Sequence, residues 1–146
     1  MPLLDVSPGE LLDRLTILEL KLRHVPGEQA QRRSAVQHAL DAVRDALKRG
    51  GVEVDRPEVA ALTAQLHDVN AWLWDLEDEV RRHLGTSNTG DEFVQAAAAI
   101  PRHNDARAMY KARIDALLGH AAPEVKVYGD VAAGLHLAGR TQNFFF

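Results

Sequence analysis

The sequence predicts an all-α fold: a single antiparallel helical bundle of about five helices with an irregular C-terminal tail. Three observations carry that expectation. Apolar residues recur at the 4-3-4 spacing of a helix face along most of the chain. Helix-start and helix-stop chemistry brackets each of those stretches. Aromatic residues make up only 5% of a chain that is 46% apolar, so the core must be built from Leu, Val and Ala, which suits helices.

The first helix is expected from Pro8 to about His24. Ser7 offers an N-cap, Pro8 takes the first helical position, and Glu10 stands at the capping-box position. Its core stripe reads Leu11, Leu15, Leu18, Leu22 and Val25, and Pro26-Gly27 stops it. The second helix covers about Glu28 to Arg49, with Val36, Leu40, Val43 and Leu47 on one face. Gly50-Gly51 closes it, as left-handed caps commonly do. Asp55 to Glu58 opens a third helix that runs to Gly85. Thr89-Gly90-Asp91-Glu92 repeats the capping-box pattern and starts a short helix through Ala99, which Pro101 breaks or restarts. The last helix runs from about Asn104 to Leu118 and stops at Gly119. Residues 123–130, PEVKVYGD, alternate enough to be extended, and the tail VAAGLHLAGRTQNFFF is apolar but rich in glycine.

The 146 residues are most economically one domain, with a core over 7–128 and an extension over 129–146. There is no cysteine, which excludes disulfides and thiolate zinc sites and makes the cytoplasm the expected compartment. The net charge of −4 opposes a strongly basic nucleic-acid binder. The opening MPLLDVSPGE has neither a basic region nor a long apolar run, so no secretory signal is expected. No stretch approaches the roughly 20 apolar residues of a membrane span. The seven histidines form no H-x-x-x-H or H-E-x-x-H, so neither a metal nor a cofactor is expected. No nucleophile elbow or phosphate-binding glycine loop occurs either.

The stretch VNAWLWDLEDEVRRHL, residues 69–84, carries an anomaly. Its apolar face is Val69, Trp72, Leu73, Leu76, Val80 and Leu84. Beside it runs a second stripe of Asn70, Trp74, Glu77 and Arg81, with a tryptophan among polar residues. The pattern recurs elsewhere. On the first helix Glu10, Ile17, Lys21 and His24 flank the core stripe, with Asp13 and Arg14 at its edges. On the last, Asn104, Arg107, Lys111 and Asp115 lie beside Ala106, Met109, Tyr110, Ile114 and Leu117. A bundle that turns the three lines toward one another lines a shared polar cleft. Trp74 would be its wall. Lys21, Arg81, Arg107 and Lys111 would supply cations, Asn70 and Asn104 would orient neutral groups, and Glu77 would be the acid/base candidate. Glu124, Lys126 and Tyr128 could fold back across it.

The blocks SPGELLDRLTILELKL, VNAWLWDLEDEVR and NDARAMYKARIDALLG also resemble, in that order, the signature blocks of an uncharacterised bacterial family, domain-of-unknown-function family 6165. The resemblance spans roughly residues 7 to 128. Near its end the family has an acidic-acidic-Lys-Ser-Tyr-like segment. Here Glu124, Lys126 and Tyr128 match it, and the other two positions depart. The resemblance implies a helical cytosolic bacterial protein, loosely associated with glycan and lipopolysaccharide gene neighbourhoods. It implies no activity.

Each stripe also has a plainer explanation. Glu10 can complete a capping box. Glu77 and Arg81 form an i,i+4 pair worth about 0.2–0.5 kcal/mol on a solvated helix. Lys21, Arg107 and Lys111 can pair with Asp13, Glu77 and Asp115 in a balanced network that sets helix register without a ligand. If the aspartates face water instead, the surplus positive charge wants an anion. The leading expectation is thus a protein that binds an anionic, phosphorylated or carboxylated metabolite or sugar derivative, with isomerase- or lyase-type chemistry at Glu77. The competing expectation is a non-catalytic helical adaptor in a bacterial glycan or other biosynthetic pathway, docking through exposed helix faces or through Phe144-Phe145-Phe146. A homodimer fits either reading.

Overall fold

The computed structural model describes residues 5–120. They form four helices: α1 (Pro8–His24), α2 (Ala30–Arg49), α3 (Pro57–Gly85) and α4 (Asp91–Leu117). There is no strand among the described residues, so the all-α bundle stands, with four helices rather than about five. The extended segment expected at 123–130, the tail from Gly129 to Phe146, and Lys126 lie outside the described residues.

The count differs because α4 continues through Pro101. Proline removes one backbone donor and crowds the preceding turn. On either side of it, however, the same face is buried, through Ala96, Ile100, Asn104 and Arg107. Burial along one face outweighs the local penalty, as tertiary packing commonly does for helices. Side chains also reinforce the turn after the proline. His103 Nδ1 lies 2.9 Å from the Ala99 carbonyl, and Asn104 Nδ2 donates to the Ile100 carbonyl at 3.2 Å.

Local chemistry explains the other boundaries. Ser7 Oγ accepts from the Glu10 N–H at 3.2 Å, half of a capping box. The Glu10 carboxylate turns elsewhere. At α3 the first helical bond runs from the Ala60 N–H to the Arg56 carbonyl, so Arg56 takes the cap position and Asp55 lies one residue outside. Three helices end in the same way. Gly51 (φ 64°) closes α2, Ser87 (φ 58°) closes α3 and Gly119 (φ 73°) closes α4. In each, the next residue's N–H reaches back five positions: Val52 to Leu47, Asn88 to His83 and His120 to Asp115. This pairing, with a left-handed residue inside it, is the Schellman motif.

The residues group into two compact units. Among the described residues, the first comprises 5–67 together with 109–120. Its core is Leu12, Leu47, Val59, Leu66 and Ile114, with Leu11, Leu15, Val43, Val52, Leu62, Tyr110 and Leu118 packed against them. All four helices contribute. The second unit holds Asp68–Ala108, a hairpin of the end of α3 and the start of α4. Here His83 meets Phe93 edge-on at 6.1 Å between ring centroids, and Trp72 meets His103 at 5.9 Å. No helix among the described residues is long and apolar enough to cross a membrane.

Ser87 is the one non-glycine residue in a left-handed conformation among the described residues. An L side chain there costs roughly 1–2 kcal/mol. Ser87→Gly is therefore expected to stabilise the protein by about 0.5–1 kcal/mol after its greater unfolded-state entropy is subtracted. Urea denaturation should show an upward shift in midpoint at unchanged slope.

Candidate functional site

Two sequence-based expectations about which face is buried are corrected by the structure. On α1 the expected core stripe Leu11, Leu15, Leu18 and Leu22 is only half-buried, and so is Val25 just beyond the helix. The deeper face holds Leu12, Asp13, Thr16, Ile17 and Leu20. Apolarity alone misplaced it, because α1 is covered on more than one side and the most enclosed side includes polar residues. On the end of α3 the expected apolar face also turns. Leu73 is buried, but Trp72 is 61% exposed and Leu84 58% exposed. Asn70 is fully buried instead. The polar lines of α3, from Asn70 to Glu77, and of α4, from Asn104 to Asp115, are therefore buried or half-buried themselves, and only Arg81 at the end of the α3 line is exposed.

In the first unit, polar groups gather where the first turn of α1 meets the end of α4. The Gly9 N–H donates to Asp115 Oδ1 at 2.7 Å. Orphan N–H groups and the helix dipole both favour a carboxylate at a helix start. The helices approach closely there. A Cβ on Gly9 would collide with the Lys111 carbonyl and sit 2.8 Å from Asp115 Oδ1. One turn away, the Lys111 ammonium pairs with Glu10 Oε2 and lies 3.8 Å from Asp13 Oδ2. Asp13 is fully buried, and the Thr16 hydroxyl donates to its carbonyl at 2.7 Å. Arg14 adds a second cation 3.6 Å from Glu10. At the far end of α4, which has no basic residue in its last turn, Arg56 Nη1 donates to the Leu117 carbonyl at 3.3 Å. Its Nε pairs with Glu58 at 2.7 Å. Of the proposed site residues this unit holds Lys21 and Lys111. Lys111 is faced by two carboxylates. Lys21 is half-buried and has no ion pair among the described residues.

The second unit holds Asn70, Trp74, Glu77, Arg81, Asn104 and Arg107. Asn70, Asn104 and Arg107 are buried, Trp74 is half-buried, and Arg81 is exposed. Asn70, Trp74 and Arg107 are each engaged by neighbouring groups. Arg81 lies 3.9 Å from Glu77 and 3.6 Å from Asp78. The Glu77 side chain is only 12% exposed. Burial pushes its carboxyl above the ordinary 4.5; Arg81 pulls it down, and Asp78 adds to the rise. Chemically, Glu77 is a carboxyl that holds its proton more tightly than usual beside an exposed guanidinium.

Sequence reasoning placed Asp13 at an edge and passed over Thr16, Gly9 and Arg56. One signal was present. Lys111 and Asp115 are one turn apart, so whatever faces one faces the other. Gly9, by contrast, reads simply as punctuation at a helix start, and nothing in SPGE announces a close approach. Grooves lie elsewhere. One, of about 280 Å³, is lined by Val6, Pro8, Leu11, Ala46, Gly50, Val52 and His120. No family model, curated protein or solved structure matches the chain.

Two measurements follow. Gly9→Ala should destabilise the protein by about 2–3 kcal/mol, because the methyl must push α1 off α4 and lengthen the Gly9–Asp115 bond. Chemical denaturation checks it, and an unchanged midpoint would contradict the close approach. The second concerns pH. A carboxyl with a raised folded-state pKa contributes stability that is whole below its unfolded value and is lost as pH rises through the folded one. The wild type should therefore lose stability relative to Glu77→Gln as pH rises from about the ordinary 4.5 through the raised folded-state value. Paired thermal melts across that range read it directly.

Proposed function

We propose that the protein is a non-catalytic helical interaction module that docks a partner through the exposed face of α3 in the second unit. One observation carries this reading: Trp72 is 61% exposed. Tryptophan supplies large contact area with few rotatable bonds, and it is enriched where proteins meet. Leu84 and Val94 of the same unit are exposed as well, at 58% and 57%. The resemblance of the three sequence blocks to a bacterial family fits such a module in a bacterial glycan or other biosynthetic pathway, which remains part of the proposal.

A second reading, the anion site, draws support from Glu77, whose covered and proton-retaining carboxyl suits acid/base work. Lys21, Arg81, Arg107 and Lys111 would hold a phosphorylated or carboxylated small molecule, with Asn70, Trp74, Asn104 and Lys126 orienting it. Against it, Lys111 and Arg81 already face two carboxylates each, which an incoming anion would have to displace. The module reading is therefore favoured.

A photo-crosslinking phenylalanine analogue at position 72, in the growing source cell, should yield one adduct of discrete mass, identified by mass spectrometry. The same group at exposed Asp41 of α2 should yield none. Trp72→Ala should change stability by no more than about 1 kcal/mol, since the side chain is largely outside the core. No adduct at 72, together with a melting temperature that rises in proportion to added phosphate or citrate, would replace the first reading with the second.

A further inference from the structure

The chemistry around Trp72 indicates what kind of partner fits it. On α3, Asp68, Trp72 and Asp75 are all exposed and follow one another at 4-3 spacing, so they stack on one outward line. Glu79, half-buried, continues that line one turn on. The indole is thus flanked along the helix by a carboxylate on either side. The wider segment is one-sided in charge. From Pro57 to Val80 the chain carries six carboxylates and no lysine or arginine. Asp75 makes no ion pair among the described residues, and no hydrogen bond joins it to a neighbour. Glu79 lies 3.7 Å from His83.

The indole is also held in place. The His103 ring stands against it at 5.9 Å with the planes 35° apart. His103 is itself fixed through Nδ1 to the Ala99 carbonyl at 2.9 Å. One side of Trp72 is therefore supported from α4, and the rest of its π surface is open. The cations of the facing stretch of α4 are Arg102, which is exposed, and Arg107, which is buried and already engaged by neighbouring groups.

An open π face beside the Asp75 carboxylate is complementary to one side chain above others. A guanidinium stacks on the indole face by a cation–π contact and at the same time presents paired N–H groups to a carboxylate. A lysine ammonium can meet the ring or a carboxylate, but as a compact point charge it lacks the flat face and paired fork that serve both at once, and an apolar residue would leave Asp75 facing a dry contact without a partner. We propose that the line Asp68–Trp72–Asp75–Glu79 docks an arginine-bearing segment of a partner protein, with a guanidinium laid on Trp72 and hydrogen-bonded to Asp75. This rests on the interaction-module reading and adds the partner's chemistry to it.

The test uses the full chain labelled with 5-fluorotryptophan, so that Trp72 and Trp74 give separate fluorine resonances, assigned with Trp72→Phe. The probes are two amidated nonapeptides, one with arginine at every third position in an alanine–leucine background, the other with glutamate in its place. The arginine peptide should move the Trp72 resonance and leave Trp74 in position, and the glutamate peptide should move neither. Asp75→Asn should weaken the arginine peptide about fivefold or more, as loss of a charge-assisted hydrogen bond requires. Equal response to both peptides, or an unchanged affinity in Asp75→Asn, overturns the arginine assignment and leaves the docking face intact. Silence with both peptides while crosslinking at position 72 still captures a protein has the same meaning. Silence with both and no crosslink removes the docking face as well. Two other occupants would also overturn the proposal. If Arg140→Gln shifts Trp72 in peptide-free protein, the occupant is this chain's own C-terminal segment. If the Trp72 resonance depends on protein concentration alongside a sedimenting dimer, it is a second copy.

Discussion

The contact between the first turn of α1 and the end of α4 is the constraint on which the first unit depends. Only a residue without a Cβ lets the α1 backbone come against the Lys111 carbonyl. At that separation Asp115 can accept the Gly9 N–H, which would otherwise be one of the orphan donors of a helix start. The same separation puts the Lys111 ammonium within reach of Glu10 and Asp13. The three features are one solution. A buried Asp13 requires a nearby cation and hydrogen bonding, since an uncompensated buried charge costs several kcal/mol. Lys111 reaches it only if the helices are close. They are close only at glycine.

That solution bears on function. Cations near carboxylates are weak candidates for binding anions, because a ligand must compete with partners already in place at high effective concentration. Lys111 is committed to Glu10 and Asp13, and Arg56 is committed to Glu58 and the Leu117 carbonyl of α4. Arg81 has two carboxylates beside it but is exposed, so those contacts are individually weak. The interior charges of the first unit thus set register and leave little electrostatic potential to spare. Under the proposed interaction-module reading, recognition then falls to side chains that the helices turn outward.

Much of this was legible wherever the chemistry is local. Ser7-Pro8 places the start of α1, and Gly50-Gly51 and Gly119 place the ends of α2 and α4, because caps depend on a few adjacent residues. The end of α3 was harder to read. Gly85 reads as the stop and is the last helical residue, yet the left-handed position falls two residues on, at Ser87, where only the hydrogen-bond pattern reveals it. Pro101 reads as a break, yet burial on both sides carries α4 through. Helix faces were the least legible. Spacing identifies residues that share a face, as it did for Asn104, Arg107 and Lys111. It does not say which face is inside when polar residues are buried, and so Asp13 and Asn70 read as flank residues, Thr16 draws no notice, and Trp72 reads as core.

That last inversion is itself an argument. Positions 70 and 72 are separated by two residues, about 200° of helix rotation, so only one of them can face inward. Stability alone would choose the tryptophan. An indole offers up to about 250 Å² of surface, so leaving 61% outside forgoes about 4 kcal/mol at 25 cal/mol per Å². Burying Asn70 adds a desolvation cost that hydrogen bonds must offset. Both choices run against folding stability in the second unit, and they do so in the same turn of the same helix. Trp72 meets only His103 across the hairpin, which is otherwise joined by the His83–Phe93 contact and by the buried Leu73, Ala96 and Ile100, so most of the indole is left over from the packing of the described residues. A stability deficit of that size, concentrated at one exposed and ring-supported indole among carboxylates, is expected where the free energy is recovered on contact with another molecule.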